Sequence, residues 1–437
     1  MNKGVTYGII GAAIAVAIGI AVAASMSMTD VDPDPSLPDA PAETDAPMEP
    51  APAEPDVVAQ AETRVVDVGV LLPATGDLAS HGNENRLALD FAVDDFNEHL
   101  AETGADWRMN LVAEDTQSDP VIALEKVQSL NSKGIKYILG PESSAETRNV
   151  MSYADSNDMI VLSPSSTSPK LAVADNIFRF VPDDTKQGKV VATLLADRGI
   201  KVVIPIYRGD VWGDGLFEST QESFVEMGGV VADGIRYSPE ITTFSTEARV
   251  LSQAVDQQLS EYEDGEVGVF VIGFDEVVHL FNSAIEYDNL NAVPWFGSDG
   301  NAGASPLVED ARSAEFVANT NFVATQFAAS DNIVFDRLRA DFMDLTGSTP
   351  SNNYVYSSYD SLWVLGLSME AVGFDALDIK EQLPATGMSY TGALGTVRLN
   401  DVGDLAIADY ELWSVIDGEW VPTARYNAAT GEIMMNE

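Results

Sequence analysis

The stretch Val65–Leu72 reads VVDVGVLL, and it is the first of several short apolar runs that decide the fold. It has the length of a strand and is mostly apolar on both faces, which is typical of a strand covered on both sides. A helical pattern follows over Asn85–Leu100, and further strands at Asn110–Glu114, Tyr137–Gly140 and Ile160–Ser163 alternate with helices. Strands separated by helices of this length predict a parallel α/β sheet with right-handed crossovers.

The same alternation restarts in the second half of the chain. Lys201–Tyr207 reads KVVIPIY, and it is followed by predicted strands at Val230–Arg236, Val267–Gly273 and Val293–Phe296. The restart near residue 185 predicts two lobes rather than one long sheet. The predicted fold class is therefore α/β, with two doubly wound parallel-sheet lobes.

The N-terminus indicates the compartment. Gly8–Ser25 contains no charged residue, Lys3 precedes it, and at about 1.5 Å per residue its length just suffices to cross a thin bilayer. We interpret residues 1–29 as either a membrane anchor or a cleaved signal peptide. Residues 30–63 are rich in proline and acid, which predicts a disordered, extended linker. Both interpretations place the remainder of the chain outside the cytoplasm, tethered to the membrane or secreted.

The charge balance excludes some partners. The chain of 437 residues has 23 basic and 69 acidic residues, a formal net charge of −46. Nucleic acid is excluded because phosphate binding needs basic patches. A charge this large also repels itself, which favours a salty, screening medium. The chain has no cysteine, which excludes disulfides, thiol nucleophiles and cysteine metal sites.

The sequence predicts neither catalysis nor a cofactor or metal ion. It contains no G-x-x-x-x-G-K-[ST] phosphate loop and no G-x-S-x-G nucleophile elbow. Glu276 and His279 match half of a di-metal carboxylate motif, but such sites need two copies, so we interpret them as a surface helix pair. His99 is predicted to be solvated near the end of a polar helix.

Polar loops follow the carboxyl ends of five predicted strands. They are rich in small hydroxyl side chains, acids and aromatic residues, and comprise 74–82, 140–147, 163–169, 207–213 and 296–300. In open α/β sheets, ligands bind at this end of the strands. Helix N-capping is the alternative explanation for any single loop. Five such loops at one edge favour a cleft, and His81, in the first loop, is a candidate pocket residue.

Short motifs then occur in a fixed order over most of the chain. They are Gly69–Pro73 with Thr75 and Gly76, Glu114–Thr116 with Asp119 and Pro120, Gly140 and Pro141 with Ser143 and Ser144, Ile160–Pro169, Phe178 and Arg179, Trp212 and Gly213, Gly297–Gly300, and Tyr359 and Asp360. In this order, the run from Val68 to about Trp413 resembles the type I periplasmic solute-binding proteins, in particular the leucine/isoleucine/valine-binding family of ABC importers.

The resemblance implies how the lobes are assembled. It implies two α/β lobes joined by a hinge of three crossings, with the ligand bound between them. Residues 64–184 plus 328–392 would form lobe 1, and residues 185–327 plus 393–437 would form lobe 2.

The resemblance also implies which residues meet the ligand. Ser144 would offer its backbone amide to an α-carboxylate. Ser165 and Thr167 match positions that contact the carboxylate and the ammonium. Asp299 stands where the branched-chain binders have a Glu that pairs with the α-ammonium, and an acid facing an ammonium forms strong, charge-assisted hydrogen bonds.

The remaining implied site residues are aromatic or wall positions. Trp212 and Phe274 match aromatic positions on the second lobe, and His81 falls where the branched-chain binders have an aromatic wall. Two departures from the family pattern weaken the inference of a strictly branched-chain ligand. Asp299 is one methylene shorter than Glu, and His81 is more polar than the usual wall residue. They allow a polar amino acid, a small amide or a urea-like ligand.

These observations predict an extracytoplasmic binding protein rather than an enzyme. It would capture a small amino-acid-type ligand and deliver it to an ABC transporter permease, with the N-terminal segment contacting the membrane. A binding protein for a small amide or urea-like solute remains an alternative. A ligand-sensing receptor ectodomain is another, because fold alone does not give function.

Overall fold

The computed structural model describes residues 63–436. The predicted anchor or signal peptide over 1–29 lies outside the described residues, as does the predicted linker apart from Thr63. Between residues 63 and 436, no helix is long and apolar enough to cross a membrane.

The first lobe is built on a five-stranded sheet. Its elements in chain order are β1 (Arg64–Leu72), α1 (Ala79–Thr103), β2 (Trp107–Asp115), α2 (Pro120–Ser132), β3 (Tyr137–Leu139), α3 (Ser144–Ser156), β4 (Ile160–Ser163) and β5 (Ile177–Arg179). The strand order is β2-β1-β3-β4-β5, and every neighbouring pair is parallel. Val68 and Val70 of β1 pack in the core with α1, whereas Leu71 packs on the opposite face with α2 and α3.

The second lobe follows with its own sheet. Its elements are α4 (Asp184–Asp197), β6 (Val202–Arg208), α5 (Val211–Glu226), β7 (Val230–Val231), β8 (Ile235–Tyr237), α6 (Ser245–Leu259), β9 (Val267–Ile272), α7 (Val277–Ala284), α8 (Asp288–Ala292), β10 (Trp295–Gly297), α9 (Pro306–Glu309), α10 (Ala311–Asn319) and β11 (Val323–Phe327). Strands β6 to β11 pair in parallel, and the sheet buries apolar cores on both faces.

The chain then returns to the first lobe and crosses back once more. The remaining elements are α11 (Ile333–Thr346), α12 (Tyr354–Val372), α13 (Ala376–Ser389), β12 (Thr391–Gly392), β13 (Gly395–Thr396), β14 (Tyr410–Ile416), β15 (Glu419–Asn427) and β16 (Glu432–Met435). Strand β14 pairs antiparallel with β11, and β15 and β16 extend that edge. The chain thus passes between the sheets three times, after β5, after β11 and before β14, and the predicted fold class is confirmed.

The lobe boundaries stay a prediction, and the predicted boundary at residue 393 needs adjustment. Val397 and Leu405 belong to the apolar core of the first sheet, and Arg179 of β5 forms a bridge with Asp404. We therefore propose that the final crossing lies between Leu405 and β14 rather than at residue 393.

The prediction of a single strand over Val230–Arg236 is wrong in one respect. It is divided into β7 and β8, which pair with different ends of β6. Between the two paired segments β6 contains Pro205, which has no backbone N–H to donate to a neighbouring strand. Gly234 packs directly against Pro205, where a Cβ would approach the proline Cγ to 2.6 Å.

Candidate ligand-binding site

A small cavity, with about 20 Å³ of space for the centre of a water molecule, lies between the carboxyl ends of the two sheets. Its lining comes from both lobes and comprises Leu78, His81, Glu142, Ser143, Ser144, Ser165, Trp212, Phe274, Asp299, Gly300 and Tyr354. Six of the seven residues that the sequence singled out are among them. Their role in binding remains a prediction, but the fold brings them to one place.

The first wall of the cavity is the N-terminus of α3. Ser143 caps this helix: its Oγ accepts a hydrogen bond from the Glu146 amide at 3.2 Å, and Glu146 Oε2 accepts one from the Ser143 amide at 2.8 Å. The Ser144 amide is in the first turn and therefore has no carbonyl four residues earlier to bond. This wall offers amide donors and the positive end of a helix to an anionic group.

Hydroxyl groups hold this wall in shape rather than pointing freely into the cavity. Ser165 Oγ donates to the Glu142 carbonyl oxygen at 2.8 Å, and Ser144 Oγ accepts from the Ser168 amide at 3.0 Å. The loops after β3 and β4 are thereby joined. The Ser144 hydroxyl retains its own proton as a donor.

The second wall combines an aromatic pair with a carboxylate. Trp212 and Phe274 are stacked with ring centroids 4.5 Å apart and planes 15° from parallel. Asp210 positions Trp212 because its Oδ1 accepts from the amides of Trp212 and Gly213 and so caps α5. Asp299 follows β10 in a turn that Asn301 closes by donating to the Gly273 carbonyl at 2.8 Å.

Asp299 is buried with one carboxylate oxygen incompletely paired. The residue is 4% exposed, Oδ2 accepts from the Tyr354 hydroxyl, and Oδ1 has no hydrogen-bond partner of good geometry among the described residues. Burial raises the pKa of Asp299 to about 6, against opposing hydrogen bonds from Tyr354, Gln187 and the Gly300 backbone. A buried carboxylate with an unpaired oxygen is suited to a cation with N–H donors.

His81 lies in the first turn of α1, so its predicted place in a loop is wrong. The helix begins at Ala79, and the His81 Nε2 lies 3.2 Å from the Ala302 carbonyl of the opposite lobe. Burial lowers the pKa of His81 to about 4, so the ring is neutral and Nε2–H donates to that carbonyl. The ring also lies 5.9 Å from the Tyr354 ring, which closes this end of the cavity.

Thr167 is the one candidate that does not line the cavity. Its Oγ1 donates to Asp184 Oδ2 at 3.0 Å, and it borders a crevice too narrow for a water molecule that also reaches Asp299. The structure therefore places Thr167 behind Asp299 rather than in contact with the main cavity.

Glu142 and Tyr354 are cavity residues that sequence reasoning missed. Glu142 stands inside the polar loop 140–147, but no role was inferred for it. Tyr354 begins α12, more than 50 residues beyond Asp299, and its local pattern is only that of an apolar helix. Only the fold brings Tyr354 to the site.

The mouth of the cleft is bridged by polar contacts, which we call the rim: Asp77 and Ser80 of the first lobe, and Arg208 and Asp275 of the second. Arg208 Nη1 donates to Asp77 Oδ2 at 2.8 Å, and Ser80 Oγ donates to Asp275 Oδ1 at 2.8 Å. The Asp275 amide also donates to the Asp77 carbonyl at 2.9 Å. The two lobes are therefore closed onto each other.

The structure corrects two predictions, one for Glu276 and His279 as a surface pair and one for His99 as a solvated residue. Glu276 is not a surface residue, because its Oε1 is buried against Arg208 Nη1 at 2.8 Å and the Tyr237 hydroxyl at 2.9 Å. His279 is exposed. His99 is half-buried rather than solvated, with Nε2 2.9 Å from Glu370 Oε2. Within residues 63–436, no group of three His, Asp or Glu side chains is placed to hold a metal ion.

Comparisons with known proteins agree with this geometry. An uncharacterized protein of Methanocaldococcus jannaschii is 29% identical over 389 residues, which cover 84% of this chain and 91% of that protein. The leucine-, isoleucine-, valine-, threonine- and alanine-binding protein of Pseudomonas aeruginosa is 22% identical over 354 residues, covering 80% of this chain and 89% of that protein.

A solved structure shows the same fold. The leucine-binding protein LivK of Thermotoga maritima aligns with a TM-score of 0.72 at 21% identity, covering 84% of this chain and 99% of that one. The family model described as the receptor family ligand binding region matches residues 84–418. The chain therefore belongs to the receptor ligand-binding-region family and has the two-lobed fold of the type I periplasmic binding proteins.

Proposed function

We propose that this protein is an extracytoplasmic solute-binding protein that captures a small amino acid between its lobes and delivers it to an ABC import permease. One observation carries the proposal: a single cavity has amide donors at the N-terminus of α3 on one wall and the incompletely paired Asp299 carboxylate on the other. An amino-acid zwitterion presents a carboxylate to the first and an ammonium to the second.

The lining, rather than the size of the closed cavity, supports a small ligand. Pockets for small molecules usually have about 300–1,000 Å³ and are mostly apolar with a few placed polar groups. With about 20 Å³ of space for the centre of a water molecule, this cavity lies far below that range, so the closed lobes would have to move apart to admit an amino acid. Trp212 and Phe274 supply apolar surface, so part of the ligand can be desolvated while both of its charged groups are paired. The names of the relatives support an amino acid as the ligand class.

A thermal-shift screen on the full chain tests the proposal. We expect at least one L-amino acid to raise the melting temperature, since a ligand at 100 times its Kd adds about 2.7 kcal/mol to the free energy of unfolding. Matched control ligands are the same molecule without its amino group and without its carboxylate. Both controls should fail, because each leaves one wall unpaired. The proposal is wrong if no amino acid stabilises the protein or if the deaminated acid is equally effective.

A sensing role is the second candidate, because the matching family is described as a receptor ligand-binding region. The ligand screen does not separate transport from sensing. Co-purification of the membrane-extracted full chain does: a transporter permease supports delivery, and a signal transducer supports sensing.

A further inference from the structure

Glu142 is the feature of the cavity that a neutral amino acid leaves unexplained. Its side chain is 1% exposed and lines the cavity. Both of its oxygens accept from one nitrogen, Asn85 Nδ2, at 2.8 and 2.9 Å. The Ser165 hydroxyl is a second nearby donor, but it is already bonded to the Glu142 carbonyl oxygen at 2.8 Å. A carboxylate has about four acceptor sites, so these two groups leave it short of donors. Burying a charge without adequate partners is costly.

The residues around the cavity do not supply the missing positive charge. The described lining contains two carboxylates, Glu142 and Asp299, but no lysine or arginine. Arg208 lies 4.8 Å from the centre of the Phe274 ring, but it is paired with three carboxylates of its own. His81 is neutral because burial lowers its pKa to about 4.

A purely structural role for Glu142 explains less. A structural residue holding Asn85 in place would need only one acceptor oxygen, and the Asn85 Oδ1 is itself without a partner among the described residues. Burial raises the pKa of Glu142 to about 7, against the opposing hydrogen bonds from Asn85 and Ser165 and with a further increase from the nearby Glu146 carboxylate. The surroundings therefore do not stabilise the ionised form, as expected if a ligand completes the site.

We propose that the ligand is an amino acid whose side chain ends in an ammonium or guanidinium group, which pairs with Glu142 while the α-ammonium pairs with Asp299. This inference rests on the proposed function above. The charges then balance: the α-carboxylate meets the amides of α3, and two cationic groups meet two buried carboxylates. Both pairs are charge-assisted hydrogen bonds in a desolvated site.

Two pairs of ligands test the inference by calorimetry on the full chain at pH 8. L-Arginine and L-citrulline have nearly the same shape but differ in charge, as do L-ornithine and L-norleucine. We expect the cationic member of at least one pair to bind about tenfold tighter or more. Equal or tighter binding of the neutral member in both pairs overturns the inference and leaves the proposed function standing. If no amino acid binds at all, the proposed function fails and the inference fails with it.

Substitution of Glu142 locates the effect. Glu142→Gln should lower the affinity for the cationic ligand about tenfold or more and change that for its neutral partner by less than about threefold. Glu142→Asp retains the charge and should keep part of the preference. A preference for the cation that survives Glu142→Gln overturns the assignment to this residue. If Glu142→Gln does not fold, the ratio of the wild-type affinities for the cationic ligand and its neutral partner remains the decisive measurement.

Proton release on ligand binding distinguishes a ligand-binding role of Glu142 from a purely structural one, because a structural role would not produce it. Because the pKa of Glu142 is about 7, pairing it with a cation at pH 7 should release a proton, seen as a binding enthalpy that depends on the ionisation enthalpy of the buffer. The titratable or polar groups facing Glu142 are His81, Asn85, Glu146, Asp299 and Tyr354. Asp299 also titrates near this range, so the release must persist in Asp299→Asn and vanish in Glu142→Gln. Any other pattern overturns the inference.

Discussion

The rim and the cavity of the cleft use the same residue types but differ in how completely those residues are paired. In the rim, Arg208 has three carboxylate partners, Asp77, Asp210 and Glu276, each at 2.8 or 2.9 Å. In the cavity, Asp299 Oδ1 has no hydrogen-bond partner of good geometry among the described residues, and both carboxylate oxygens of Glu142 share the Asn85 amide group.

The difference indicates which part is complete without a ligand. Rim residues satisfy one another, so changing them should alter folding stability or lobe closure. The two cavity carboxylates, Glu142 and Asp299, are incompletely paired, so changing them should alter binding. Each prediction below tests whether this division holds.

The largest expected effect is on stability, from Arg208→Gln. Removing the guanidinium leaves Glu276 buried beside Asp210 without a cation, which should lower the free energy of unfolding by about 3–5 kcal/mol. Chemical denaturation measures this loss. Arg236→Gln is the matched control, because Arg236 pairs with Asp214 at an exposed site and should cost no more than about 1 kcal/mol. Equal losses in both variants would contradict the interpretation of Arg208 as a structural centre.

The next effect is on binding, from Asp299→Asn. If Asp299 pairs with the ligand ammonium, the substitution should cost about 2–5 kcal/mol of binding free energy, because the ammonium stays buried without its partner. Calorimetry with the best ligand of the screen measures it. Asp264→Asn, at an exposed acid of the same lobe, should leave the affinity unchanged. Wild-type affinity in Asp299→Asn would remove this residue from the site.

Thr167→Ala tests the residue that lies behind the cavity. Its hydroxyl is the hydrogen-bond donor to buried Asp184 Oδ2, so its loss should lower folding stability by about 1–3 kcal/mol. Binding should change less than in Asp299→Asn. Thr167→Ser, which keeps the hydroxyl, should restore most of the stability. A loss of affinity without a loss of stability would instead place Thr167 in direct contact with the ligand.

Much of the fold could be predicted because its signals are local. The apolar run Val65–Leu72 and the helix Pro120–Ser132 can each be recognised from a few neighbouring residues, and both occur in the structure. Strand β5 has only three residues, and Arg179 within it is buried by pairing with Asp404, 225 positions away. No pattern within a short window indicates such a contact, so sequence reasoning misses β5.

The site shows the same limit. The strand-end loops and the family resemblance identified Ser144, Trp212 and Asp299 as candidate site residues, because loops at the carboxyl ends of parallel strands meet at one edge of the sheet. Hydrogen-bond partners that are distant in the sequence had no such signal. The pairing of Tyr354 with Asp299 and of Asn85 with Glu142 depends on how helices α12 and α1 pack, which is decided by tertiary structure.

The smallest expected effect is on lobe closure, from Asp77→Asn. Asp77 is partly exposed, and its contact with Arg208 joins the two lobes, so the substitution should weaken ligand binding by about 0.5–1 kcal/mol without a comparable loss of stability. Glu218→Gln is the matched control, because the Lys170–Glu218 pair also joins the lobes at 3.1 Å but is more exposed on both sides. Its effect should be smaller still. At 1 M salt, where the Debye length is about 3 Å, the difference between the two variants and the wild type should shrink. A loss from Asp77→Asn as large as that from Asp299→Asn would mean that the rim contributes to ligand recognition itself, and the division between rim and cavity would fail.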